Sequence, residues 1–368
     1  MKPTQQLHDL GQSLWLDNIT RTMLRDGTLK GYIDELSVTG LTSNPTIFDK
    51  AISGGEAYDE QIAELSASAI VEEGIGETPT ERIFFELAIA DLRDATDLFA
   101  PIHERTAGVD GYCSLEVSPL LADDTAGTIA QAAQLHHRAE CPNLFIKIPG
   151  TKAGLPAIEE SIFANIPVNV TLLFSAEQYL AAADAYLRGI ERRIEAGLDP
   201  EVPSVASLFI SRWDVAVAEE APQELRNRLG LGVGFHVYRA YRELLDSQRM
   251  QRLMNEGARP QRLLWASTGT KDPDASDVLY IEGFASPFTV NTMPEPTLNA
   301  FADHGKVGDL VPADGGDADE LLARFESAGI GVQALAARLQ EEGKQAFVKS
   351  WTELLKTIEA QRSEAQPS

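Results

Sequence analysis

Lys147 interrupts a short apolar run in the stretch "NLFIKIPGTK" at residues 143–152. Such a run predicts a buried β-strand, and burying an ammonium group costs on the order of several kcal/mol unless the charge is paired or lost. A structural ion pair with Glu116 is one explanation. The other is chemical, because a lysine held in an apolar pocket loses its proton more easily and its neutral amine can attack a carbonyl to form a Schiff base.

Polar side chains also close, or nearly close, other apolar runs of the sequence. These residues are Asp17, Asn44, Glu116, Asn169, Thr171, Ser207 and Ser267. In a (β/α)₈ barrel the carboxyl ends of all strands meet at one mouth, where residues from different strands form the active site. The pattern therefore predicts a single site. Its uncharged residues favour a nucleophilic Lys147, because a structural ion pair does not require them.

Three of the polar positions also have simpler explanations. Asp17 is followed by "NIT" and could cap the next helix. Asn44 precedes Pro45, and an Asn-Pro step often starts a turn. Arg212 follows the run "LFIS" and is predicted to lie at the mouth, although a surface ion pair would also explain it.

The elements that position these residues form an alternating pattern. Longer patterns with apolar residues every three or four positions predict helices at 80–98, 125–140, 154–163, 176–196 and 214–245. They lie among eight strand-like runs: "SLWLD", "VTGLTSN", "GYCSLEVSP", "NLFIKIP", "IPVNVTLLFS", "PSVASLFIS", "RLLWAST" and "SPFTVNTM". Neither G-x-G-x-x-G after the first strand nor G-x-x-x-x-G-K-[ST] occurs. The pattern favours an α/β fold of the (β/α)₈ TIM-barrel type over an open nucleotide-binding sheet.

Two additions to the barrel are predicted. A helical insert at 46–106 separates the second and third strands, and two C-terminal helices are expected at 317–362, joined near "SAGIG". Both are expected to decorate one barrel, so that residues 1–368 form a single domain.

The composition limits the classes of partner. A formal net charge of -25 and a pI near 4.6 oppose a broad nucleic-acid or anionic-membrane surface. No apolar stretch is long enough to cross a bilayer, and a cytoplasmic protein is expected. Cys113 and Cys141 lie in no zinc motif. No metal site is predicted, because the histidines lack ligand spacing: His8, His103, His136, His137, His236 and His304.

Several motifs in combination resemble the transaldolases. They are "LWLDNITR", "GLTSNPTIF", "SLEVSPLLADDTAGTIAQA", "LFIKIPGTKAGLPAIE", "IPVNVTLLFS" and "SVASLFISRWD". The continuation from "LLWASTGTKDP" to "TVNTMPEPTL" is similar to the longer bacterial form of that family. The resemblance covers residues from about 10 to about 303. It implies a class I, Schiff-base-forming aldolase barrel.

The resemblance also implies roles for individual residues. Lys147 matches the Schiff-base lysine, Asp17 the acid/base carboxylate, and Glu116 with Thr171 the pair that positions a catalytic water. Asn44 and Asn169 match the asparagines that hold the hydroxyl groups of the bound three-carbon unit. Ser207 and Arg212 match phosphate-binding positions, and Ser267 is expected to contact the substrate beside them. Where shorter transaldolases have a second phosphate-binding arginine, this chain has "ASTGTKDP", and Lys271 is the expected substitute.

The activity implied is transfer of a dihydroxyacetone unit from sedoheptulose 7-phosphate to glyceraldehyde 3-phosphate, in the pentose phosphate pathway. The products are erythrose 4-phosphate and fructose 6-phosphate, and no cofactor is required. The partners expected are sugar phosphates, and the chain is expected to be a monomer or homodimer. A simple aldolase that releases dihydroxyacetone is an alternative. A catalytically silent barrel that binds a protein partner is another.

Overall fold

The computed structural model describes residues 1–68 and 77–365, with side chains as far as 363. Eight strands form its central sheet: β1 (Ser13–Leu16), β2 (Val38–Leu41), β3 (Cys113–Glu116), β4 (Leu144–Pro149), β5 (Val168–Leu173), β6 (Ser204–Phe209), β7 (Arg262–Ala266) and β8 (Val290–Met293). Paired strands are parallel, in the order β2-β1-β8-β7-β6-β5-β4-β3. The predicted strands are confirmed.

Backbone hydrogen bonds connect the two ends of this strand order. The N–H of Leu41 donates to the carbonyl of Tyr112 at 3.0 Å, and the N–H of Gly111 donates to the carbonyl of Thr39 at 3.0 Å. These bonds join β2 to the segment entering β3, so the sheet closes on itself. The (β/α)₈ barrel predicted from the sequence is therefore confirmed.

Helices surround the strands and extend beyond them. The helices are α1 (Pro3–Asp9), α2 (Arg21–Arg25), α3 (Thr28–Leu36), α4 (Pro45–Ser53), α5 (Asp59–Ser66), α6 (Pro79–Arg105), α7 (Thr125–Ala139), α8 (Gly154–Phe163), α9 (Ala176–Glu195), α10 (Ser211–Ala216), α11 (Leu229–Leu245), α12 (Gln248–Asn255), α13 (Leu279–Gly283), α14 (Glu295–His304), α15 (Ala318–Ser327) and α16 (Val332–Ala365). In the part of the chain described, no helix has the length and hydropathy needed to span a membrane.

The lower part of the barrel interior is filled by aromatic side chains. The rings of Tyr112 and Phe145 stack with centroids 4.3 Å apart, and Trp15 lies 6.0 Å from Phe145. The indole N–H of Trp15 donates to Asp110 at 2.8 Å. Phe145 is two residues before Lys147 on β4, so the two side chains share the inward face of that strand. The barrel below the lysine is thus lined by aromatic rings, whereas the polar residues of the predicted site lie at or near the carboxyl ends of the strands.

The predicted insert at 46–106 is helical in the described residues, and residues 69–76 of it lie outside them. α4, α5 and α6 make up most of it. Buried Arg21 pairs with Asp91 of α6 at 2.8 Å, and the hydroxyl of Tyr58 donates to the same carboxylate at 2.7 Å. Arg21 belongs to the short helix α2 that follows β1. The insert is therefore joined to the barrel by buried polar contacts.

The prediction of one continuous helix at 214–245 is wrong. α10 ends at Ala216, a 3₁₀ turn follows Pro222, and α11 begins at Leu229. The carboxylate of Asp214 accepts hydrogen bonds from the N–H groups of Leu229 at 2.8 Å and Gly230 at 3.0 Å. Both N–H groups belong to the first turn of α11 and have no partner within that helix. Asp214 therefore caps the start of a second helix and is not itself part of it.

The two predicted C-terminal helices are present as α15 and α16, separated by the "AGIG" segment. α16 packs against α4, α5 and α6 and also reaches β5. It therefore lies across the insert and the carboxyl end of the barrel. The prediction that residues 1–368 form one domain stays a prediction.

Candidate active site

A cavity of about 300 Å³ lies at the carboxyl ends of the strands. Eight of the ten predicted site residues line it: Asp17, Asn44, Lys147, Thr171, Ser207, Arg212, Ser267 and Lys271. Glu116 and Asn169 do not line the cavity and are buried next to residues that do. The structure therefore brings side chains from seven strands, β1 to β7, and their following loops to one place.

Lys147 forms part of the cavity wall, with only 6% of its side chain exposed. Its Nζ lies 3.3 Å from Glu116 Oε2 and donates to the carbonyl of Ser43 at 3.2 Å. In the sheet register Lys147 is level with Glu116 on β3 and Asn169 on β5. The ion pair considered from the sequence is thus present, and the same amine faces a cavity that can admit a ligand.

Glu116 is a buried carboxylate with few partners. Burial raises its pKa above the ordinary value, and the neighbouring Lys147 ammonium opposes that rise. Within the described residues, Oε1 of Glu116 and the hydroxyl of Thr171 are buried and have no hydrogen-bond partner. Buried polar groups of this kind are usually bonded to water. This environment suits a pair that positions a water molecule.

Asp17 follows the last residue of β1 and is partly exposed to the cavity. Its Oδ1 accepts a hydrogen bond from the Thr42 hydroxyl at 2.8 Å, and the hydroxyls of Thr42 and Thr292 are also 2.8 Å apart. Burial raises the pKa of Asp17, while Lys147, the Thr42 hydrogen bond and Lys271 act to lower it. The next helix is capped by Thr20, which accepts from the N–H of Met23. The helix-cap explanation of Asp17 is therefore wrong.

Asn44 has both of the roles considered from the sequence. Its Oδ1 accepts a hydrogen bond from the N–H of Ile47 at 3.1 Å, so it caps α4 immediately before Pro45. It also lines the cavity. The cap uses the oxygen of the amide and fixes the side chain at the mouth, while the amide N–H₂ group has no partner in the described part of the chain.

Asn169 lies beneath the cavity and is fully buried. Its amide nitrogen donates to Ser114 Oγ at 3.1 Å, and its oxygen accepts from Ser207 Oγ at 2.7 Å. Both polar ends of this side chain are therefore engaged by the protein, and it orients Ser207, which does line the cavity. Direct contact between Asn169 and a substrate stays a prediction.

Arg212 lies in the cavity wall without an ion pair or hydrogen bond to any described residue. Its guanidinium carbon is 5.3 Å from the ring centroid of Phe209 and 5.8 Å from that of Phe347. Burial lowers its pKa, and Glu342 opposes this. The surface ion pair considered from the sequence is not formed, so this guanidinium has its donors available for an anionic ligand.

Two lysines extend the positive charge to the rim. Lys271 and Lys50 line the same cavity, are exposed, and form no ion pair with a described residue. Ser267 also lines this cavity, with a left-handed backbone (φ 56°), and its hydroxyl is 2.9 Å from that of Ser211. The cavity therefore combines a buried amine with unpaired cations.

Sequence reasoning did not identify every residue that lines the cavity. It missed Thr42, Thr46, Ile47, Lys50, Phe209, Ala266, Thr292 and Phe347. Thr42 and Phe209 lie inside motifs that were already informative, "GLTSNPTIF" and "SVASLFISRWD". Nothing in the local pattern around Phe347 indicated a position near Lys147. Among the described residues, no group of three or more His, Cys, Asp or Glu could hold a metal ion.

Comparison with known proteins gives a consistent result. Residues 14–358 match the family model described as transaldolase/fructose-6-phosphate aldolase. A protein named transaldolase from Kocuria rhizophila is 44% identical over 367 residues, covering 97% of this chain and 98% of its own length. Those of the same name from Thermobifida fusca and Mycolicibacterium paratuberculosis are each 45% identical, covering 98% and 96% of both chains respectively.

Proposed function

This chain belongs to the transaldolase/fructose-6-phosphate aldolase family, and from that premise we propose that Lys147 forms a Schiff base with a ketose phosphate. Its activity is that of a transaldolase, an enzyme of the transferase class. The unit transferred is dihydroxyacetone, from sedoheptulose 7-phosphate to glyceraldehyde 3-phosphate and, in the reverse direction, from fructose 6-phosphate to erythrose 4-phosphate.

The reaction begins at the Lys147 amine. The neutral amine attacks the C2 carbonyl of the ketose to give a carbinolamine, which loses water to form an iminium ion. Glu116 and Thr171 assist these proton transfers through a water held between them. Support comes from the buried, unpartnered oxygen atoms of these two side chains and from the 3.3 Å separation of Glu116 and Lys147.

Asp17 acts in the carbon–carbon step. Its carboxylate takes the proton of the C4 hydroxyl while the C3–C4 bond breaks and its electrons move into the iminium. The aldehyde then leaves, and a three-carbon enamine remains attached to Lys147. The same groups run these steps in reverse when an acceptor aldehyde arrives. Two observations support this role: Asp17 lies in the cavity wall, and the charge of Lys147 acts to lower the pKa of its carboxyl group.

The remaining residues hold the substrate. Arg212 binds the phosphate, with Lys271, Ser207 and Ser267 beside it, and Asn44 holds a hydroxyl of the three-carbon unit. The unpaired guanidinium of Arg212 supports this assignment, since an arginine can meet phosphate oxygens through two parallel donors. Lys50 is added to the set because it also lines the cavity.

A cytoplasmic location is part of the same proposal. Cys113 and Cys141 are both free thiols, as is usual for proteins of reducing compartments.

The observation that carries the proposal is the burial of the Lys147 amine at the wall of a cavity that also contains Arg212. Borohydride reduction in the presence of fructose 6-phosphate tests it, because reduction traps an iminium as a stable amine. We expect peptide mass spectrometry to locate the reduced three-carbon unit on Lys147, and Lys147→Ala to abolish transfer. Lys152→Ala is the matched control, since Lys152 is an exposed lysine five residues later. An adduct on Lys152 or Lys271 would disprove the assignment.

A further inference from the structure

One face of α16 lies over the cavity. The residues on that face are Gln340, Gly343, Phe347 and Ser350, which are spaced by three and four positions as one side of a helix requires. The amide of Gln340 donates to the carbonyls of Leu172 at 2.9 Å and Gly150 at 3.2 Å. Ser350 accepts a hydrogen bond from Thr46 at 2.8 Å. The helix is thus fixed to the ends of β4 and β5 on one side and to α4 on the other.

Gly343 permits the close approach of this helix. A Cβ atom at that position would lie 3.0 Å from Leu172 Cδ2 and 3.1 Å from Arg212 Nη1. Glycine is unfavourable in a helix interior, so its presence here matches a place where any side chain would press on the cavity wall.

Phe347 follows one turn later and reaches into the cavity. Its ring centroid is 5.7 Å from Lys147 Nζ and 5.8 Å from the guanidinium carbon of Arg212. It also packs against Phe209, with ring centroids 6.4 Å apart. The amine is therefore bordered by Glu116 on the barrel side and by an aromatic ring from α16.

We propose that Phe347 shields the three-carbon enamine on Lys147 from water and so retains it for transfer. The proposal rests on the Schiff-base function proposed above. Loss of the unit requires a proton to add to C3 of the enamine and water to add to C2 of the resulting iminium. The C–N bond then breaks, which frees dihydroxyacetone and restores the lysine amine.

An apolar ring beside the nitrogen occupies space from which water would carry out both steps. Among the residues that line the cavity, Phe209 and Phe347 are the aromatic ones, and Phe347 is the one whose contact with Lys147 is direct. The residue that favours transfer over release is therefore supplied by a helix outside the barrel.

The test is the ratio of free dihydroxyacetone to sedoheptulose 7-phosphate, formed from fructose 6-phosphate with erythrose 4-phosphate as acceptor. We expect Phe347→Ala to raise this ratio by about tenfold or more, and Phe347→Leu to raise it less, because leucine keeps part of the apolar cover. The ratio is measured only on molecules that turn over. A smaller fraction of folded molecules in a variant preparation therefore does not change this ratio.

Trp351→Phe is the matched control. Trp351 lies one turn further along α16, packs against Phe84 and Phe85, and does not line the cavity. An unchanged ratio in Phe347→Ala, or an equal rise in Trp351→Phe, would overturn the proposal for Phe347. Borohydride trapping is run on the same proteins. If wild type gave no adduct on Lys147, the Schiff-base function itself would fail, which separates the two failures.

Discussion

Lys147 interacts with two carboxylates that have different tasks in the proposed reaction. Burial raises the pKa of both Asp17 and Glu116, and Lys147 opposes the rise in each. They differ in their other partners, because Thr42 donates a hydrogen bond to Asp17, whereas Glu116 Oε1 has no donor among the described residues. The hydrogen bond favours the ionised form of Asp17, which is the form that can accept a proton from the C4 hydroxyl.

The pH dependence of cleavage should therefore respond to Thr42. Thr42→Val removes a hydrogen bond that lowers the pKa of Asp17, so this pKa should rise further. Because the base must be ionised, the acidic limb of the kcat/KM profile for fructose 6-phosphate should move to higher pH. Thr39→Val should leave the limb in place, because Thr39 is a buried residue of β2 whose hydroxyl donates to the carbonyl of Leu14 and not to Asp17. A limb that does not move in Thr42→Val would contradict the role of Asp17.

The apolar strands could be predicted from the sequence, whereas the contacts between elements that are distant in the chain could not. β4 is buried on both faces, so it appears as a short apolar run, and the charge of Lys147 stands out against it. Pro222 marks the break between α10 and α11 in the sequence, since a proline disrupts a helix interior, but the predicted helix ran through it. Phe347 was missed because the sequence of the C-terminal helix predicts an apolar face but does not show which part of the protein that face contacts.

A pair of glycines tests the approach of α16. Gly31→Ala, in α3, should stabilise the protein by about 1 kcal/mol, since no atom lies within 4 Å of the added Cβ. Gly343→Ala should gain less than this and should raise the KM for fructose 6-phosphate, because Arg212 and Leu172 must move by a few tenths of an ångström. Thermal unfolding and steady-state kinetics of both variants provide the measurement. Equal stabilisation with unchanged KM would show that α16 lies further from the cavity.

For the whole molecule, the dominant electrostatic fact is a formal net charge of -25. The field of such a protein repels a sugar phosphate at long range, although salt screens it beyond about 8–10 Å. Binding must therefore depend on a few close cations, and Arg212, Lys271 and Lys50 line the cavity. Arg212 was predicted from its place after β6, and Lys271 from the family resemblance, as the substitute for a second phosphate-binding arginine. Lys50 was not predicted because it lies on a helix of the insert.

Arg212→Ala should separate phosphate binding from the chemistry. Loss of a charged hydrogen-bonded contact of about 1.5–3 kcal/mol should raise the KM for fructose 6-phosphate by roughly tenfold to 150-fold. Unphosphorylated fructose should be a poor donor for both proteins and should lose little more from the change. Kinetics of both sugars on both proteins provide the comparison. An equal loss for the two sugars would mean that Arg212 supports the fold or the chemistry.

The place of Phe347 in α16 also has a consequence for the synthesis of the protein. Phe347 is 200 residues after Lys147 in the chain. At about 5–20 residues per second, a ribosome adds the ring roughly 10–40 s after it adds the lysine. During that interval the nascent chain carries the nucleophile and gains the remaining strands of the barrel, but it lacks the aromatic cover. Until α16 has been translated and has docked on the barrel, a three-carbon unit bound to Lys147 would therefore be open to water and more readily released.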